Sequence, residues 1–113
     1  MLDASAIAAL DFGGGHACTP EEYAFLGALV RLTAPASIVE IGTSTGIGTL
    51  VMAAALADAG GTGTSPRLTT IDLPLGRATF GAGLARNRAA VEARLPGIAG
   101  VIDWRVGESH AAG

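Results

Sequence analysis

The positions of apolar and polar residues along the chain predict an alternation of helices and strands. Small and apolar residues over 4–10 predict a short helix, which the consecutive glycines at 13–15 end. A second helix is predicted to begin at Thr19, which can cap it, with Pro20 at the first helical position and Glu22 completing a capping box. Apolar residues then recur at three- and four-residue spacing: Tyr23, Leu26, Leu29 and Val30. This spacing predicts a helix to about residue 32 with one buried stripe.

Three short runs rich in β-branched or alternating apolar residues predict strands, over residues 37–42, 68–72 and 101–106. An alanine-rich stretch over 47–59 and a further stretch over 80–95 predict helices between them. In the last run the apolar residues alternate with Asp103 and Arg105, so one face of that strand is expected to be wetter. Strands joined by helices form parallel sheets with right-handed crossovers. The sequence therefore predicts an α/β fold, a Rossmann-like doubly wound parallel sheet that stops after the third strand.

Glycines and carboxylates around the ends of the first two strands form a candidate cofactor site. Gly42 would allow the sharp turn after the first strand, Gly46 the close approach of a ligand, and Gly48 the packing of the next helix on the strand. That helix directs its N-terminal N–H groups toward the same place. Asp72 ends the second strand, where a carboxylate can accept both hydroxyls of a ribose. These residues predict an adenosine-containing ligand across the carboxyl ends of the two strands.

The segment 39–49, V-E-I-G-T-S-T-G-I-G-T, resembles the first motif of class I S-adenosylmethionine-dependent methyltransferases, especially the O-methyltransferase-like kind. Residues 70–72 resemble the ribose-binding acidic motif of that family, and residues 107–109 its G-D-S segment after the third strand. The resemblance covers about residues 19–109 and implies S-adenosylmethionine as the cofactor. The cofactor-binding residues that it implies are Glu40, Gly42, Thr43, Ser44, Thr45, Gly46, Gly48, Asp72, Glu108 and Ser109.

The resemblance also implies a role for each part of the motif. Glu40 and residues 42–48 would surround the methionine moiety, Asp72 would bind the ribose, and Glu108 with Ser109 would lie near the adenine. Glu108 stands where the family more often has Asp. From the residues alone, Glu40 has a second interpretation, as a structural carboxylate that holds the loop amides. No catalytic residue can be assigned from the sequence.

The resemblance further implies how the chain is organised. The residue pattern already predicts a short helix and a glycine-rich loop over residues 1–18, and the resemblance makes residues 19–113 the cofactor-binding half of a methyltransferase-like domain. Members of the family continue into a fourth strand, which brings the acceptor pocket and any general base. The chain is therefore expected to be a fragment, inactive alone, of a parent that transfers methyl to the oxygen of a small molecule. In the doubly wound fold that the motifs resemble, the first strand, 37–42, pairs on one side with the strand at 68–72 and on the other with the fourth strand. Without the fourth strand it would expose an open edge through which the chain self-associates.

Composition narrows the range of partners. Charged residues make up 15% of the chain, the net charge is −3, and the basic residues are scattered, so no nucleic-acid partner is expected. The apolar runs are too short to cross a bilayer and the N-terminus lacks the charge of a signal peptide, so a cytoplasmic protein without a membrane partner is expected. His16 and Cys18 are too few for a closed zinc site, and no metal is expected.

Two other functions fit parts of the same pattern. The three glycines of the loop also match the T-G-x-x-x-G-I-G loop of NAD(P)-dependent short-chain dehydrogenases, although Ile41 replaces the usual Thr and a capped helix precedes the strand. A non-catalytic module derived from the fold is the third interpretation. Binding of S-adenosylhomocysteine, of NADP or of neither distinguishes the three.

Overall fold

The computed structural model describes residues 2–10, 18–42, 46–58, 67–72, 84–95 and 99–106. The helices are α1 (Ala4–Ala8), α2 (Pro20–Thr33), α3 (Ile47–Asp58) and α4 (Leu84–Arg94). The strands are β1 (Ile38–Ile41), β2 (Leu68–Asp72) and β3 (Ile102–Val106), with a short 3-10 turn at Ala99–Val101 before β3. These bounds agree with the sequence pattern to within a few residues, except that the expected start of the last helix at 80 lies outside the described residues.

Helix α2 begins with the capping box that the sequence predicts. The Glu22 N–H donates to Thr19 Oγ1 at 3.1 Å, and the Thr19 N–H donates back to Glu22 Oε1 at 2.9 Å. Hydrogen bonds from the Thr19 amide and hydroxyl hold the pKa of the Glu22 carboxyl below its ordinary value of 4.5. The helix ends where Ala34 takes the left-handed conformation, φ 44°, and its N–H donates to the Val30 carbonyl at 2.8 Å.

The buried stripe of α2 differs in part from the predicted one. Tyr23 and Val30 are buried as expected, but Leu29 is 45% exposed. Gly27 is buried instead, because positions 23, 27 and 30 lie on one line of an α-helix and α2 packs against α1 and α3. The prediction for Leu29 was wrong because its neighbour Val30 already occupies the contact line, and the two side chains point about 100° apart.

The three strands form one parallel sheet in the order β1-β2-β3. The register aligns Ile38 with Leu68 and Leu68 with Ile102. These three residues join the apolar core, whose centre is α3, buried from Ile47 to Leu56. The α/β class and the Rossmann-like parallel sheet are confirmed.

The described helices cover one face of the sheet. In the strand order β1-β2-β3, each connection moves to the next strand in the same direction across the sheet. Right-handed crossovers in one direction place their helices, α3 and α4, on the same face of the sheet. On the opposite face Val39 is 62% exposed and Ile41 63% exposed. Asp103 and Arg105 lie on that face too, with Arg105 Nε 2.8 Å from Asp103 Oδ2, which confirms the wetter face of the last strand.

The outer edge of β1 has no neighbouring strand in the part of the chain that the structure describes. The Ile38 N–H donates to the Arg67 carbonyl and the Gly42 N–H to the Ile71 carbonyl, both at 2.7 Å. In a parallel ladder alternate residues face the same neighbour, so Val39 and Ile41 direct their backbone groups away from β2. None of the described helices combines the length and the apolar character that a membrane span requires.

Candidate functional site

Two glycines in the left-handed conformation turn β1 into α3. Gly42 has φ 88° and Gly46 has φ 95°, values that side-chain-bearing residues rarely adopt. The Gly46 carbonyl accepts the Leu50 N–H at 2.9 Å and so opens the first turn of α3. Among the described residues, no atom lies within 4 Å of a Cβ atom added at Gly42. The left-handed conformation therefore favours glycine at both positions, and no other described residue occupies the space beside the backbone at Gly42.

Asp72 lies beside this turn. It is the last residue of β2, and the Gly42 N–H donates to the carbonyl of Ile71, the residue before it. The carboxyl ends of β1 and β2 therefore bring the backbones of Gly42 and Asp72 next to each other, near the N-terminus of α3. This is the edge of the sheet where α/β proteins bind nucleotides.

Several residues of the predicted site fall outside the described ranges. They are Thr43, Ser44, Thr45, Glu108 and Ser109, together with the side chain of Asp72. Their assignments to the methionine, ribose and adenine moieties stay predictions.

The Glu40 carboxylate is held by two threonine hydroxyls. Thr70 Oγ1 donates to Glu40 Oε1 at 2.7 Å, and Thr49 Oγ1 donates to the same oxygen. Both threonines are fully buried, at 0% exposure. A half-buried carboxylate is costly unless donors satisfy it, and these hydroxyls lie on two different elements, β2 and α3. From the sequence, Glu40 was also interpreted as a carboxylate that holds the amides of the loop. The loop residues 43–45 lie outside the described residues, so this interpretation stays untested.

Gly48 provides the space that this carboxylate occupies. A Cβ atom at Gly48 would lie 2.7 Å from Glu40 Oε2 and 3.6 Å from Cε1 of Tyr23. The sequence predicted that Gly48 lets the helix pack on the strand. The structure specifies what is packed, because the first turn of α3 rests against the Glu40 side chain of β1 and the buried Tyr23 ring of α2.

The partners of Glu40 were missed in the sequence. Thr49 and Thr70 are hydroxyl residues inside apolar runs, a pattern that indicates buried polar groups in need of hydrogen-bond partners. Thr70 lies opposite Glu40 only in the observed register of β1 and β2. Without that register, residues thirty positions apart could not be paired.

Trp104 continues the row formed by Glu40 and Thr70 into β3. Its ring packs against the apolar core, as the sequence suggested for this residue. Its indole Nε1 is buried and has no hydrogen-bond partner within the described ranges. In the same ranges, no group of three or more His, Cys, Asp or Glu side chains could hold a metal ion.

A parallel sheet with a glycine turn at the carboxyl end of β1 places the chain among Rossmann-like α/β folds. No protein-family model matches the chain, and no curated protein is significantly similar to it. Among solved structures, it is similar to the O-methyltransferase TomG from Streptomyces achromogenes, which is involved in tomaymycin synthesis and was solved in complex with S-adenosylmethionine. The TM-score is 0.60 and the identity 27%, over 84% of this chain and 36% of TomG. The chain thus has a methyltransferase-like fold and spans about a third of the length of that enzyme.

Proposed function

We propose that the chain forms the cofactor-binding half of an S-adenosylmethionine-dependent methyltransferase. The main observation behind the proposal is the turn at Gly42 and Gly46. This turn places the N-terminus of α3 at the edge of the sheet where β2 ends in Asp72. The free N–H groups of a helix N-terminus favour an anionic group such as the carboxylate of a methionine moiety. The space beside Gly42, which no other described residue occupies, fits a ligand that touches the backbone. The similarity to TomG, solved with S-adenosylmethionine, supports this choice of cofactor.

The residues of this chain would bind and orient the cofactor. Asp72 would accept the ribose hydroxyls, the turn from Gly42 to Gly48 would surround the methionine moiety, and Glu108 with Ser109 would lie near the adenine. When bound, S-adenosylmethionine supplies an electrophilic methyl group. Transfer is an in-line displacement that depends mainly on alignment and on exclusion of water. The acceptor that we propose is a hydroxyl of a small molecule, bound by parts of the parent enzyme beyond this half.

Titration calorimetry tests the proposal with the 113-residue chain. We expect S-adenosylhomocysteine to bind and NADP not to bind. Asp72→Ala should weaken S-adenosylhomocysteine about tenfold to hundredfold, since it removes charge-assisted hydrogen bonds to two hydroxyls. Asp58→Ala is the matched control, because it removes an exposed carboxylate at the far end of α3.

The other outcomes of this titration would favour a different function or contradict the role assigned to Asp72. Binding of NADP in place of S-adenosylhomocysteine would favour the dehydrogenase interpretation. Binding of neither ligand would favour a non-catalytic module. Equal affinity of Asp72→Ala and the unaltered chain for S-adenosylhomocysteine would contradict the ribose assignment.

A further inference from the structure

One carboxylate joins three elements beneath the glycine turn. Glu40 lies on β1, and its Oε1 accepts hydroxyl hydrogens from Thr70 on β2 and from Thr49 in the first turn of α3. We propose that Thr49 and Thr70 are positioning residues of the cofactor site, which act through Glu40. They fix its carboxylate, and the fixed carboxylate sets where the first turn of α3 lies over the sheet.

The two hydroxyls are better explained by this role than by packing. Thr49 and Thr70 are fully buried, and valine would fill the same space without a polar group to satisfy. A hydroxyl in a core is favourable only where it has a partner, and here both hydroxyls share one carboxylate oxygen. Because the two donors come from different elements, the carboxylate is held from two sides.

This arrangement fixes both ends of the glycine turn. Glu40 comes two residues before Gly42, and Thr49 comes three residues after Gly46, so the hydrogen bond between their side chains bridges the turn at its base. Gly48 lies against the other carboxylate oxygen. The backbone from which a cofactor would receive its N–H contacts is therefore anchored on one side chain. The effect on cofactor affinity rests on the proposed function, whereas the anchoring of α3 does not.

The test compares Thr70→Val with Thr70→Ser by amide hydrogen exchange and by calorimetry with S-adenosylhomocysteine. Thr70→Val keeps the shape and removes the hydroxyl, and Thr70→Ser keeps the hydroxyl. We expect Thr70→Val to speed exchange at the Leu50 amide about tenfold relative to the Leu56 amide at the other end of α3, and to weaken the ligand about tenfold. Thr70→Ser should restore both within about threefold. Thr69→Val is the matched control, because it makes the same change one residue away on the opposite face of β2.

The outcomes separate this inference from the proposed function. Exchange that rises equally at Leu50 and Leu56, or a Thr70→Val chain that matches Thr69→Val, would overturn the positioning role. If the unaltered chain does not bind S-adenosylhomocysteine, the proposed function fails, while the ratio of the two exchange rates still decides the positioning. If Thr70→Val does not fold, Thr49→Val and its rescue by Thr49→Ser must meet the same expectations.

Discussion

Because Gly48 lies against Glu40, the effect of Gly48→Ala on the free energy of unfolding should depend on whether the Glu40 side chain is present. Gly48→Ala places a Cβ atom 2.7 Å from Glu40 Oε2, about 0.7 Å closer than an ordinary van der Waals contact of 3.4 Å. The carboxylate must move by about that distance. The hydrogen bond from Thr70, now 2.7 Å, would then stretch to the limit of hydrogen bonding.

The magnitude follows from two opposing terms. Loss of one hydrogen bond to a charged group costs about 1.5–3 kcal/mol. Replacement of glycine by alanine inside a helix gains about 0.5–1 kcal/mol. In the unaltered chain Gly48→Ala should therefore lower the free energy of unfolding by about 0.5–2.5 kcal/mol. In a Glu40→Ala background the clashing oxygen is gone, so the same change should be neutral or stabilise by up to about 1 kcal/mol.

Urea unfolding followed by circular dichroism measures both effects, at two protein concentrations so that any association is detected. Glu40→Gln is the steric control, because its amide keeps an atom at the position of Oε2 and Gly48→Ala should stay costly in it. Gly100→Ala is the control for the glycine change itself, since a Cβ atom there would meet no atom of the described residues within 4 Å. Equal destabilisation by Gly48→Ala in the presence and absence of the Glu40 side chain would refute the reasoning.

Three further predictions concern other parts of the chain. Because its pKa is lowered, the ionised Glu22 carboxyl stabilises the fold at pH values above its ordinary pKa of 4.5, and this stabilisation is lost as the pH falls through the lowered pKa. The Tm advantage of the unaltered chain over Glu22→Gln should therefore vanish in acid, and an advantage independent of pH would contradict this. Val39→Lys should reduce self-association in sedimentation, because it places a charge at a 62% exposed position on the outer edge of β1. Leu32→Lys, at an 84% exposed position of α2, should not, and equal effects would argue against that edge. Trp104→Phe should change the free energy of unfolding by less than about 1 kcal/mol, because the lost contact is offset by removal of an N–H that has no partner among the described residues; a loss above about 3 kcal/mol would mean that Nε1 is bonded outside the described residues.

The sequence predicted the features that depend on neighbouring residues. The cap at Thr19, the glycine turn at Gly42 and Gly46, and the β-branched strands follow from local conformational preferences, which the structure repeats. Strand order was also predicted, from the resemblance of the motifs to a doubly wound fold: β1 lies beside β2, and its other edge has no partner in the described part. Self-association through that edge stays a prediction.

The features that were missed depend on contacts between distant elements. The pairing of Glu40 with Thr70 requires the register of two strands, which the composition of neither strand determines. The exposure of Leu29 depends on which line of α2 meets α3, because apolar residues occur on more than one side of this helix. Apolar spacing predicts that a helix has a buried side, but the neighbouring elements select that side.

The burial of α3 on all sides implies a very uneven tolerance of substitution along the chain. All residues from Ile47 to Leu56 are buried, and at the fully buried Ala53 and Ala55 a larger side chain would displace a neighbour. Helix α2, by contrast, exposes Phe25 and Leu32 at 70% and 84%. In a library of random variants, folded survivors should carry many changes on the outer side of α2 and very few in α3. Engineering for solubility should therefore begin at α2, where charge can be added without touching the helix that leads from the glycine turn.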